Sequence, residues 1–244
     1  MSSRMHGLMA MLAAAFAVAM PVAAADDTRP LSPAQVALFE SDHLRGIERP
    51  ARLEYRFRRE AAVDTSGPAA SFVDRVDLDV RPRAGGGKDV WADFLSGDHH
   101  MPFPPLMDFH GNPVVMFFLE HDVEEMHRAT GGAAAYFRNR IRAAFVDRAQ
   151  LREVELLHDG KPVPGTEITL APFREDPRIA VFPGLTNKLY RFVLSDAIPG
   201  EIFEIGSEVP VGDGQSARLK ETMTFAGEHA CAGAEGTCEP TAPK

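Results

Sequence analysis

The sequence predicts an α+β fold, a curved antiparallel sheet of about seven or eight strands in meander order with a helical hairpin packed on one face. Two observations predict it. Short runs in which apolar and polar residues alternate occur on both sides of residues 112–147, and the apolar residues within 112–147 recur at helical spacing. We expect the hairpin to follow the third strand and the whole to be half-barrel-like.

A short helix is expected ahead of the first strand. Ser32-Pro33-Ala34-Gln35 places serine at the N-cap, proline at the first helical position and a capping-box partner three residues on, so a helix through about Phe39 follows. Three alternating runs come next, and such alternation gives a strand one buried face and one solvated face. Their inward positions are Leu53, Tyr55 and Phe57, then Val76, Leu78 and Val80, then Val90, Ala92 and Phe94.

The middle of the chain predicts two antiparallel helices joined at Gly131-Gly132. The first begins at Asn112-Pro113 and is expected to bury Met116, Leu119, Val123 and Met126 and to expose Glu120, Asp122, Glu124 and Glu125. The second is expected to bury Phe137, Ile141, Ala144 and Phe145 and to expose Arg138, Arg140 and Arg142. The acidic and basic flanks should therefore face each other.

Strands return after the helices. Asp159-Gly160 is a strong two-residue hairpin sequence, and later apolar runs around Tyr190, Phe203 and Leu219 predict further antiparallel strands. Periodicity ends at about Phe225, so residues 26–228 are expected to form one domain and residues 229–244 a loose tail.

The first 25 residues predict a cleaved secretory signal peptide. Arg4 is followed by an apolar run over residues 8–20 and by Ala23-Ala24-Ala25, the small residues that precede cleavage, so the mature chain should begin at Asp26. We therefore expect a periplasmic location. In an oxidising compartment the two cysteines, Cys231 and Cys238, are expected to form a disulfide.

Charge and length exclude some partners. The formal charge is −9 and becomes −10 when Arg4 is removed with the signal peptide, so a phosphate backbone would be repelled and nucleic acid is not an expected partner. No later stretch approaches the ~20 apolar residues that a membrane-spanning helix needs.

The loop over residues 98–110 is the densest group of unusual residues, and two interpretations stay open. Imidazole, thioether and carboxylate groups suit copper or zinc, although their order matches no metal motif. Alternatively, the apolar residues plug the core or gate a ligand cleft while the histidines face water. The metal candidates are His99, His100, His110, Asp98 and Asp108, and the ligand-binding candidates are Met101, Phe103, Leu106, Met107 and Phe109.

Two features of the helices have plain alternatives. Glu124 and His127 have the spacing of carboxylate-bridged metal sites, but the partner helix offers arginines, which favours a salt-bridged surface. The three arginines suit an anionic ligand, although neutralising the acidic helix is the simpler interpretation. No nucleophile elbow, P-loop, dinucleotide-binding glycine pattern or zinc-peptidase motif occurs, so no enzymatic activity is assigned.

The predicted architecture is similar to that of periplasmic carriers of apolar molecules, including the half-barrel of lipoprotein carriers, although no motif establishes membership. The first hypothesis is a non-enzymatic periplasmic protein that binds an apolar or amphipathic ligand, such as a lipid, or an envelope protein. The alternatives are a copper- or zinc-binding protein that uses loop 98–110, a structural envelope protein, and an enzyme whose pocket holds His110 or His127 beside a carboxylate.

Overall fold

The computed structural model describes residues 29–61, 70–210, 218–231 and 238. Contacts divide the chain into residues 1–30 and residues 31–244. Only Arg29 and Pro30 of the first unit are described, so the predicted signal peptide and its cleavage site lie outside the described residues. Everything below concerns the second unit.

One antiparallel sheet of nine strands is found within the described ranges, which confirms the predicted α+β class. The strands are β1 (Ala51–Ala61), β2 (Phe72–Pro82), β3 (Lys88–Phe94), β4 (Leu106–Phe109), β5 (Gln150–His158), β6 (Lys161–Leu170), β7 (Leu189–Leu194), β8 (Ile202–Val209) and β9 (Leu219–Ala230). Their order is β4-β3-β2-β1-β9-β8-β7-β6-β5, and every neighbouring pair is antiparallel. Two meanders therefore meet where β1 pairs with β9.

In the described part of the chain three α-helices accompany the sheet: α1 (Pro33–Gln35, continued by a π-helical turn over Val36–Glu40), α2 (Val114–Thr130) and α3 (Ala134–Asp147). The predicted capping box of α1 is confirmed, since Gln35 N–H donates to Ser32 Oγ at 3.2 Å and Ser32 N–H donates to Gln35 Oε1 at 3.0 Å. Helix α2 ends at Thr130 and is capped by Gly131, whose φ of 69° suits a residue without a side chain.

Two boundaries differ from the sequence prediction. The hairpin follows the fourth strand, because the four-residue β4 forms inside loop 98–110. Strand β9 continues past Phe225, with Ala230 opposite Ala51, so the prediction that periodicity ends at Phe225 is wrong for residues 226–230. Cys231 follows the last residue of β9 and is bonded to Cys238, which confirms the predicted disulfide.

Both long helices pack on one face of the sheet, called here the inner face. The Phe57 ring of β1 contacts Phe118 of α2, with ring centroids 6.4 Å apart, and Phe192 of β7 contacts Phe145 of α3 at 5.7 Å. The inward residues predicted for β1 and β2 are all buried. A continuous apolar core thus fills the space between the sheet and the hairpin.

The predicted buried face of α2 is partly wrong. Met116 is 41% exposed, whereas Asp122, expected in solvent, is 1% exposed and points into the interior with Phe118. The helix is enclosed on a further side, where Phe117 stacks on Phe103 of loop 98–110 at 4.1 Å. A helix buried on more than one side shows no single apolar stripe.

Candidate ligand-binding groove

An apolar groove of about 440 Å³ lies between α1, α2 and α3. Its walls are apolar side chains, and its rim carries two arginines, a glutamate and a glutamine. The lining residues are Gln35, Phe39, Met116, Leu119, Glu120, Val123, Arg138, Ile141, Arg142 and Phe145. The volume lies in the range of small-molecule sites, ~300–1,000 Å³.

Helix α1 forms the third wall because it is fixed to α3. The Ser32 hydroxyl donates to the carbonyl oxygen of Phe145 at 2.6 Å. The Phe39 ring meets the Phe145 ring edge to face, with centroids 5.1 Å apart. The short helix is therefore held by one polar contact at its start and one aromatic contact near its end.

Two large apolar side chains remain open to solvent at the groove. Met116 is 41% exposed and Phe39 is 38% exposed. Burying such side chains is favourable by about 1.5–3 kcal/mol each. Their exposure in one groove gives an occupant with an apolar surface a place to bind.

The rim separates a paired arginine from an unpaired one. Arg138 donates two hydrogen bonds to the Glu120 carboxylate, at 3.0 and 2.6 Å, and this contact raises the pKa of Arg138. The expected pairing of the acidic and basic flanks is therefore confirmed for Arg138. Within the described part of the chain, Arg142 makes no ion pair or hydrogen bond, so it leaves an uncompensated positive charge at the groove.

The apolar residues of loop 98–110 lie elsewhere. Met101, Phe103 and Leu106 pack against the main core, while Met107 is 51% exposed. None of the five candidates from this loop, including Phe109, belongs to the lining of the groove. Their position supports the interpretation that the loop covers the core near α2.

The metal candidates of the same loop point to separate neighbours. His99 stacks on Phe72 with centroids 3.9 Å apart, His100 Nε2 lies 3.5 Å from Asp93 Oδ1, and His110 Nδ1 lies 3.7 Å from Asp42 Oδ2. Asp98 lies within a short 3₁₀ turn, Gly97–His99, and the Asp108 carboxylate lies 3.9 Å from Arg83. Over the described ranges, no three His, Cys, Asp or Glu side chains meet closely enough to hold a metal ion.

The histidines considered for catalysis also have other neighbours. His127 Nδ1 lies 2.7 Å from the carbonyl oxygen of Gly132, so this side chain closes the end of α2. His110 and the nearby Asp42 carboxylate are both partly exposed, and neither borders the groove.

A buried polar network lies under α2, and the sequence analysis did not predict it. The Asp122 carboxylate accepts hydrogen bonds from Lys188 at 2.8 Å, from Ser207 at 3.0 Å and from Tyr190. Burial, together with the Asp122 charge and hydrogen bond, raises the pKa of Tyr190 well above its ordinary value. The position of Asp122 in the sequence could have indicated its burial, because it falls four residues after Phe118 and four before Met126, on an apolar stripe.

A second buried group continues the network along α2. Arg59 of β1 donates to Glu125 at 2.7 Å and to Glu221 at 2.8 Å, and His121 Nε2 lies 3.4 Å from Glu221. Burial opposes ionisation of Glu125, yet the Arg59 hydrogen bond and the surrounding positive charges leave its pKa below the ordinary value. These groups join α2 to strands β1 and β9 of the sheet.

Comparisons with known proteins find distant similarity of fold. The lipoprotein LppX of Mycobacterium tuberculosis is 13% identical, with a TM-score of 0.35 over 86% of this chain and 98% of LppX. The Pseudomonas aeruginosa MucA/MucB complex gives 14% identity and a TM-score of 0.33 over 79% of this chain and 57% of the matched chain, so this protein spans little more than half of that one. The LolA superfamily protein NE2245 of Nitrosomonas europaea gives 11% identity and a TM-score of 0.21 over 82% and 94%.

No protein-family profile matches the chain, and no curated protein matches it. Among the described helices, none has the length and apolar character needed to cross a membrane.

Proposed function

We propose that this chain is an exported, non-enzymatic binding protein of the cell envelope whose groove takes a single-chain anionic amphiphile. The observation that supports this ligand is an apolar groove with one unpaired cation, Arg142, at its rim. An apolar tail would cover Met116 and Phe39, and an anionic headgroup would reach the guanidinium of Arg142.

The two parts of this ligand contribute different things. Each methylene group moved from water into the groove contributes about 0.8 kcal/mol, so the tail supplies most of the affinity. The headgroup contact is exposed and therefore weak, but it distinguishes an anion from a neutral molecule of the same length. Arg138 is already satisfied by Glu120, which leaves Arg142 for the headgroup.

The packing of the core favours ligand binding in the groove and not in an internal cavity. Apolar side chains and the Asp122 network fill the space between the hairpin and the inner face. A ligand held under the hairpin would have to displace packed core residues, whereas the groove is already open. Export is supported by the predicted signal peptide and by the disulfide, which suits an oxidising compartment.

The test is binding of a fluorescent long-chain fatty acid and of the corresponding neutral fatty alcohol to the purified protein. We expect Met116→Glu to weaken both by about tenfold or more, because it places a carboxylate among apolar walls. Arg142→Gln should weaken the acid and leave the alcohol unchanged. Val181→Glu is the matched control, since Val181 is an apolar side chain, 74% exposed, outside the groove.

Equal affinities for the wild type, Met116→Glu and Val181→Glu would overturn the groove as the site. If Met116→Glu weakens both probes but the acid and the alcohol bind equally well to each protein, the groove is retained as the site and the preference for an anionic headgroup is overturned. Concentration-dependent association that Met116→Glu abolishes, without binding of either probe, would show that a second copy of the chain occupies the groove.

A further inference from the structure

Strand β5 forms an open edge of the sheet. It stands last in the strand order and pairs only with β6 among the described residues. It is nine residues long, whereas the opposite edge strand, β4, has only four and is interrupted by a register shift. A long edge with unpaired main-chain groups is a template for another extended chain.

The side chains that β5 turns to the inner face have an unusual order. They are Leu151, Glu153, Glu155 and Leu157, placed on that face because Leu151 lies opposite the buried Ile168. Leu151 is 40% exposed and Leu157 is 70% exposed, and both glutamates are exposed. Neither glutamate has an ion-pair partner within the described ranges, whereas Arg152, on the other face, is bonded to Glu167.

A cleft adjoins this face where the helical hairpin leaves the sheet uncovered. It has a volume of about 650 Å³ and lies between β5–β7 and the segment that follows α1. Asp196 and Glu201 add two carboxylates to those of Glu153 and Glu155. Arg45 pairs with Glu201 at 2.7 Å, and no lysine or arginine occurs among the described residues that line the cleft, so the cleft keeps a negative balance.

Pairing with a second copy of this strand is disfavoured by the same residues. An antiparallel β5–β5 pair centred on Val154 sets Glu153 opposite Glu155, and a pair centred on either glutamate sets that residue opposite itself. Like charges directly opposite each other destabilise a sheet. The edge therefore rejects its own copy and favours a chain of opposite charge.

We propose that the free edge of β5 takes an extended basic segment of a partner protein as a tenth, antiparallel strand. Every second side chain of that segment faces the inner side. In order these side chains are apolar, basic, basic and apolar, and they lie opposite Leu157, Glu155, Glu153 and Leu151. Its lysine or arginine side chains reach into the acidic cleft. This surface is separate from the apolar groove and does not depend on an amphiphile binding there.

The test uses the purified protein and two synthetic peptides, Thr-Val-Thr-Lys-Thr-Lys-Thr-Val-Thr and its counterpart with glutamate in place of lysine. We expect the lysine peptide to bind and to slow amide hydrogen exchange in residues 150–158. The double variant Glu153→Lys/Glu155→Lys should bind it about tenfold or more weakly and should gain binding of the glutamate peptide.

The matched control is Glu48→Lys/Glu228→Lys, which makes the same change in net charge at two exposed glutamates away from β5. Retained binding by this control, with protection confined to β5, supports the proposal. Equal loss in both double variants would reduce the binding to net charge and overturn it. Absence of binding, or protection at another strand, would also overturn it, whether or not the groove binds amphiphiles.

Discussion

A single buried carboxylate joins α2 to two strands of the sheet. Asp122 accepts hydrogen bonds from Lys188 next to β7, from Tyr190 within β7 and from Ser207 in β8. Lys188 is 2% exposed, so its ammonium group is buried beside this carboxylate. A buried pair of this kind stabilises little over an apolar replacement, but it is costly to break from one side.

Asp122→Asn is therefore expected to lower the free energy of unfolding by about 3 kcal/mol or more, because Lys188 is left charged and buried without its anion. The double variant Asp122→Asn/Lys188→Met should lose less than the sum of the two single variants. Urea unfolding measures both. Glu120→Gln, which breaks the exposed pair with Arg138, should cost at most about 1 kcal/mol, and an equal cost for Asp122→Asn would contradict the role of the buried pair.

His43 is a second residue whose charge state is fixed by its surroundings. Its Nε2 lies 2.7 Å from the Ala37 carbonyl oxygen, and its Nδ1 accepts the Asn112 N–H at 3.2 Å, so the ring is neutral and joins α1 to the start of α2. Burial is the main cause that lowers the pKa of His43 below its ordinary 6.5, although the Ala37 hydrogen bond acts in the opposite direction. The ring borders the acidic cleft.

The pH dependence follows from this lowered pKa. As the pH falls through 6.5 the unfolded chain takes up a proton on His43 while the folded chain does not, so stability present above pH 6.5 is lost on acidification. His43→Gln should show a smaller loss in urea midpoint than the wild type between about pH 7.5 and about pH 5.5. His229→Gln, at an exposed histidine, is the control. If the urea midpoint of His43→Gln changes with pH as steeply as that of the wild type, other groups cause the effect.

At the scale of elements, local patterns predicted most of what forms locally. Period-two alternation identified β1, β2 and β3, the capping box identified α1, and Asp159-Gly160 identified the β5–β6 turn, where both residues adopt positive φ. Each of these depends on neighbours in sequence. The four-residue β4 was missed because it lies in a proline-rich loop and is too short to show alternation.

The candidate site was harder to predict, because it depends on how elements pack. A helix with one buried side shows one apolar stripe, and the sequence interpretation placed Met116 and Leu119 on that stripe. In the structure α2 meets the sheet, α3 and loop 98–110, so Asp122 turns inward while Met116 and Leu119 line the groove. Which side of α2 meets which neighbour is decided by tertiary contacts, although the spacing of Phe118, Asp122 and Met126 already indicated a second buried side.

At the scale of the whole molecule, the strand order explains the core. Strands β1 and β9 pair from Ala51–Ala230 to Ala61–Leu219 in the middle of the sheet, which leaves β4 and β5 as the two edges. These edge strands are consecutive in the chain, and α2 and α3 connect them. The hairpin must therefore cross the inner face from one edge to the other, and crossing it buries the apolar residues of both meanders.

Export is the remaining property of the whole chain, and it depends on residues 1–28, outside the described part. If the signal peptide is cleaved as predicted, the intact mass of the protein from an envelope fraction should correspond to a chain that begins at Asp26. Ala25→Gln should block processing, because the residue before the cut must be small, whereas Ala24→Gln, at the permissive middle position, should be processed normally. A full-length mass for the wild type, or equal processing of both variants, would contradict the predicted site.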